Sequence, residues 1–158
     1  MSIPMPRPRG ASIKDSPDHH DADLLLRLYD LRREAVLREA RRFLTADFWP
    51  ANAEEFFAIT KPEHPQSAAF RQVTGYWEMA YGMARHGIMN PDYLAEYASE
   101  GLYVFAKVHP WLAELRERTS PRTLANTEWI ATQCEVGRTS FEYYHQRVEK
   151  ALAARRSP

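Results

Sequence analysis

A single cysteine, Cys134, occurs in the 158 residues. That excludes an intrachain disulfide and any CxxC zinc or redox motif. The six glycines are dispersed at positions 10, 75, 82, 87, 101 and 137, so no glycine-rich loop cradles a phosphate. Neither charge sign prevails: Lys plus Arg total 21 and Asp plus Glu total 21. A dedicated nucleic-acid binder carries a basic excess, so the balance speaks against that class. The longest apolar run near the N-terminus is Leu24-Leu25-Leu26, far short of a membrane span, and the first twenty residues hold no signal-like apolar region. Strand-like alternation of useful length and internal repeats are both missing. With a lone thiol and no leader, the expectation is a soluble, cytoplasmic protein.

What is present is helical and aromatic. Hydrophobic residues make up 44% and aromatics 12% of the chain, a globular composition. Residues 1–20 contain Pro4, Pro6, Pro8, Gly10 and Pro17, which predict a flexible tail before a single domain over 21–158. A long helix is expected from Asp21 to about Thr45, with Leu25, Leu28, Tyr29, Val36, Ala40 and Phe43 on one face. Asn52 and Glu55 have capping-box spacing and start a short helix. A third helix over Ser67 to His86 ends at Gly87, and Asn90-Pro91-Asp92 opens its hairpin partner, which ends before Pro110. A short helix follows to Arg118, and another runs from Ser120-Pro121 to about Glu135. Gly137, followed by Thr139 and Glu142 at capping-box spacing, predicts a break. The last helix aligns Phe141, Tyr144, His145, Val148, Ala151 and Leu152. The fold class predicted is all-α: a helical bundle of five to seven helices around the central hairpin.

Candidate chemistry concentrates on the Ser67–His86 helix. Its apolar surface extends nearly all round, which marks a central helix, and its charges form one row, Arg71, Glu78 and Arg85. Seven residues of helix span roughly 10.5 Å, so these three cannot pair with one another. Arg32 and Glu39 also lie seven apart, on the otherwise apolar face of the first helix. Two readings follow: an interhelical ion-pair ladder that fixes register, or a polar pocket for a small anion with Arg71 and Arg85 as donors and Trp77 and Tyr81 as walls. The run Asp18-His19-His20-Asp21 with Asp23 has metal-ligand residue types but no partner ligands at helical spacing, so helix capping is the expected role and no metal site is assigned. Arg27, Arg33, Arg38, Arg41 and Arg42 are interrupted by Asp30, Glu34 and Glu39, as on a solvated helix face. No nucleophile motif, catalytic dyad or cofactor signature occurs.

The run Arg85-His86-Gly87-Ile88-Met89-Asn90-Pro91-Asp92, with Gly101, Trp111, Arg116 and Glu128-Trp129, resembles an uncharacterised bacterial all-helical family known only as a domain of unknown function. The resemblance spans Phe43 to Ala131. Members of that family often carry an N-terminal membrane helix, whereas this chain has a polar, proline-rich tail; its Pro110-Trp111 order also departs from the pattern. The resemblance implies the all-helical fold and transfers no catalytic residue. The function expected is a non-enzymatic protein-interaction or self-association module, the alternative being a small-anion binder or enzyme that uses the polar row.

Overall fold

Helix caps, more than hydrophobic periodicity, divide this chain into its elements. A computed structural model describes residues 12–157, and every regular element among them is helical. In order these are α1 (His19–Leu31), α2 (Ala35–Arg42), a π-helical turn (Phe43–Asp47), α3 (Ala53–Thr60), α4 (Ser67–Arg85), α5 (Pro91–Tyr97), α6 (Glu100–Val108), a 3-10 turn (His109–Trp111), α7 (Leu112–Arg118), α8 (Ala125–Gln133) and α9 (Glu135–Arg156). They outnumber the five to seven helices expected. Residues 1–11 of the expected tail lie outside the described residues.

The extra elements arise where side chains take over backbone hydrogen bonds. The expected Asp21–Thr45 helix is two helices. Asp18 caps α1 by accepting the His20 and Asp21 N–H groups. Glu34 caps α2 by accepting those of Val36 and Leu37. The Tyr76 hydroxyl donates to the Leu28 carbonyl, which also accepts the Arg32 N–H at the end of α1, and Arg41 donates to the Arg32 carbonyl. Asn52 caps α3 as expected, and Glu55 reaches back to the Ala51 N–H at 2.8 Å. The hairpin partner likewise divides at Ala98 and Ser99 into α5 and α6.

Two glycines have definite tasks. Gly87 adopts φ +77°, the left-handed conformation that ends α4, and a side chain there would also strike the Ser12 carbonyl. Gly137, predicted to break a helix, instead lies within α9. A Cβ there would overlap the Ile130 carbonyl, so the glycine lets α9 press against α8. The break falls at Cys134, whose backbone is extended (φ −117°, ψ 152°). Asp92 of α5 accepts the Val136 N–H at 2.9 Å and so supplies a cap for α9.

The core gathers around α4, which packs against α2, α3, α5, α6 and α8. Trp77, Tyr81, Phe48, Phe56, Phe105, Met89 and Leu102 are fully buried. Each such side chain contributes roughly 1.5–3 kcal/mol relative to exposure. At the N-terminal side Asp21 is fully buried; it binds Lys14 at 2.8 Å and accepts the Asn90 N–H at 3.3 Å. Asn90 caps α5 through Tyr93 and donates to the Lys14 carbonyl, tying the segment before α1 to the α4–α5 turn. No helix among the described residues is long and apolar enough to cross a membrane.

Candidate functional site

The polar row of α4 is taken up mainly by helix termini. Arg71 donates to Ser67 one turn earlier, at 3.0 Å. The Glu78 carboxylate accepts the N–H groups of Asn126 (3.2 Å) and Thr127 (2.6 Å), and the Thr127 hydroxyl at 2.6 Å. It therefore caps α8, which has no cap of its own because left-handed Leu124 occupies that position. A carboxylate there also meets the positive end of the helix dipole. Asn126 lies over Gly82, donates to the Glu78 carbonyl at 3.1 Å and accepts from Arg85 at 3.2 Å. Arg85 is buried.

The other sequence candidates disperse. Glu39 pairs with Arg42 on the exposed face of α2, whereas Arg32 binds Glu100 at 3.1 Å. Neither ion pair leads to the α4 row. Trp77 and Tyr81 stack with centroids 5.6 Å apart deep in the core, and the Tyr81 hydroxyl donates to the Ala98 carbonyl at the end of α5. Full burial holds the Tyr81 phenol well above its ordinary range, so it stays a donor. Two of the seven candidates reach surface concavities: Glu39 lines an open groove of about 500 Å³ between α2 and the start of α4, and Arg32 lines a smaller, more polar cleft.

The Arg32 concavity is a cleft of about 280 Å³ where α1, the α5–α6 junction and α9 meet. Tyr29 and Arg32 come from the first helix and its end; Tyr97, Ser99, Glu100 and Tyr103 from the junction; Tyr144 and Arg147 from α9. The half-buried Glu100 carboxylate forms its floor. Arg41 binds it through Nε and Nη2, and Arg32 adds a third contact. The Arg32 guanidinium lies over the rings of Tyr29 (4.5 Å) and Trp77 (5.5 Å). Tyr29 donates to the Tyr97 carbonyl, bridging α1 and α5. The hydroxyls of Ser99 and Tyr144 share a hydrogen bond of 2.8 Å, and the Tyr103 and Tyr144 rings pack at 5.4 Å. Two arginines thus hold one carboxylate, and a third, Arg147, lines the same cleft. Arg147 is exposed and forms no ion pair among the described residues; its contact is with the Tyr143 ring at 5.6 Å. Tyr29 and Tyr97, 45% and 51% exposed, line the cleft, and Tyr143, 56% exposed, packs against the Tyr144 ring beside it.

Behind Tyr103, Lys107 is almost fully buried. Its ammonium donates to the Leu44 and Thr45 carbonyls, which the π-helical turn leaves without regular partners, and sits 3.9 Å from the Trp49 ring centroid. Burial, with Arg155 nearby, draws its pKa down to about 7. Arg155 itself lies over Trp49 at 4.5 Å.

A family model described as a domain of unknown function, DUF4760, matches residues 17–134. The chain belongs to that family. The DUF4760 match covers α1 through α8, while α9 follows it. The cleft is therefore lined by the family's own helices on one side and by Tyr144 and Arg147 of α9 on the other. No curated protein and no solved structure matches the chain.

Sequence reading passed over most of this site. Tyr97 and Tyr144 were recognisable only as members of apolar helix faces. Glu100 and Arg147 were two charges among many. The spacing of Tyr143 and Arg147, four residues apart on a helix, is the one local signal that joins an exposed ring to a cation.

Proposed function

We propose that residues 21–158 form one all-α domain, and that this domain is a non-enzymatic protein-interaction module. Its docking surface is the tyrosine- and arginine-rich face around the α1–α5–α9 cleft. The observation that carries the reading is a concave, polar cleft lined by exposed Tyr29 and Tyr97, with exposed Tyr143 packed against its lining residues Tyr144 and Arg147. Tyrosine and arginine are the residue types enriched at the energetic centres of interfaces, because they bury large rigid area and still hydrogen-bond. The floor supports the reading too: Arg32, Arg41 and Glu100 are held by mutual contacts, so the partner meets a surface ordered before it arrives.

The test compares affinity-tagged wild type with the Tyr97→Ala/Tyr143→Ala double variant and with Glu117→Ala on the distant α7. A protein recovered stoichiometrically with wild type and Glu117→Ala, and at least about tenfold less with the double variant, is the expected result. Equal recovery by all three, or a bare monomer throughout, contradicts the proposal. A second reading, binding of a small anion, keeps Arg32 alone of the sequence candidates and is favoured by the two arginines, Arg32 and Arg147, that line the cleft. Native mass spectrometry of the purified protein tests it: a bound small molecule that Arg32→Ala abolishes supports this second reading.

A further inference from the structure

We infer that the α5–α9 cleft is an acidic-side-chain receptor, in which Arg147 and Arg32 take a glutamate or aspartate from a partner protein. The inference rests on the docking-face reading above and adds the chemistry of the partner. Two observations carry it. The first is charge: one carboxylate, Glu100, already shared by Arg32 and Arg41, lines the cleft together with a third arginine, Arg147, that has no ion pair among the described residues. A guanidinium presents five donors in a fixed fork, and none of those of Arg147 meets a carboxylate here. The second is shape: about 280 Å³ lies near the lower bound for whole small-molecule sites and suits a single inserted side chain. The flanking rings of Tyr103 and Tyr144 would cover its methylene stem, and the Ser99–Tyr144 hydroxyl pair lies beside the incoming carboxylate. The exposed rings of Tyr29 and Tyr97 favour a polypeptide over a free anion, since a polypeptide can also bury their apolar faces.

The experiment titrates the isotopically labelled full chain with hexaglutamate blocked at both ends and follows backbone amide resonances. The expected result is saturable shifts at Ser99, Glu100, Tyr144 and Arg147. The apparent Kd should rise about tenfold or more in Arg147→Glu and less in Arg147→Gln, and rise with salt as charge-assisted contacts do. Blocked hexalysine should leave these resonances in place. Because Arg147 is exposed, both variants should retain the wild-type dispersion elsewhere, which the same spectra report. Shifts confined to other helices, or equal affinity in Arg147→Glu, overturn the inference. Inorganic phosphate reproducing the same saturation at equal charge would also overturn it, by reducing the cleft to a small-anion site. If hexaglutamate fails while Tyr97→Ala/Tyr143→Ala still loses its protein partner, the acidic-partner inference falls and the docking face stands.

Discussion

Glu78 shows how a charge can mislead when only its own helix is in view. On α4 it stands alone between two arginines, yet its partners lie 48 and 49 residues away, at the start of α8. Its carboxylate replaces the side-chain cap that Leu124 cannot supply. Glu78→Ala should therefore lower stability by about 1–2 kcal/mol, the size of a lost cap, with hydrogen exchange rising first at Asn126 and Thr127. Urea unfolding with residue-resolved exchange checks this; unchanged protection at those two amides would contradict the capping role. Lys107 makes a different prediction. Its ordinary pKa of 10.5 falls to about 7 in the folded protein. Between those values the unfolded chain keeps a proton that the folded chain has released, so this residue makes stability rise with pH from about 7 toward 10.5. Below about pH 7 both states are protonated and the rise is absent. The urea midpoint of wild type should climb between pH 7 and 9 relative to Lys107→Met, and parallel curves would refute the assignment.

Among the helices, the local punctuation was legible where one residue type has one physical use. Gly87, Asn90-Pro91 and the Asn52–Glu55 box end or begin helices where the sequence says they should, because each acts on neighbours within four residues. Of the boundaries that were missed, the start of α2 is a local cap by Glu34, whereas those of α8 and α9 depend on distant contacts. The caps of α8 and α9 come from Glu78 on α4 and Asp92 on α5. Gly137 was misread because a glycine that breaks a helix and one that lets two helices touch look identical in sequence. Gly137→Ala should cost about 1–3 kcal/mol through overpacking against Ile130. A break at this glycine would instead predict stabilisation, and calorimetry separates the two. Beside it Cys134 is buried, which raises its thiol pKa to about 11. It should react with Ellman's reagent at pH 8 only after denaturation; immediate labelling of the native protein would contradict the α8–α9 packing.

Across the entire chain, the all-helical class followed from periodicity and the scarcity of strand signals, while the cleft did not. Its residues come from positions 29 to 147, and no local pattern announces that Glu100 would bind Arg32 and Arg41 across 68 and 59 residues. Neutral net charge also hid an uneven distribution, in which a carboxylate bound by two arginines lines a cleft with a third arginine and exposed tyrosines. The family match to residues 17–134 stops short of α9, so the side of the cleft carrying Tyr144 and Arg147 lies beyond what the family model describes. The docking function is thus argued from a surface assembled by the fold. The most direct test replaces Tyr97 with a photo-crosslinking amino acid in the living cell, with Glu117 replaced in parallel on α7. A discrete protein adduct from position 97 and none from position 117 is the predicted result. No adduct at position 97, or the same adducts at both positions, would contradict the assignment of this face to a protein partner.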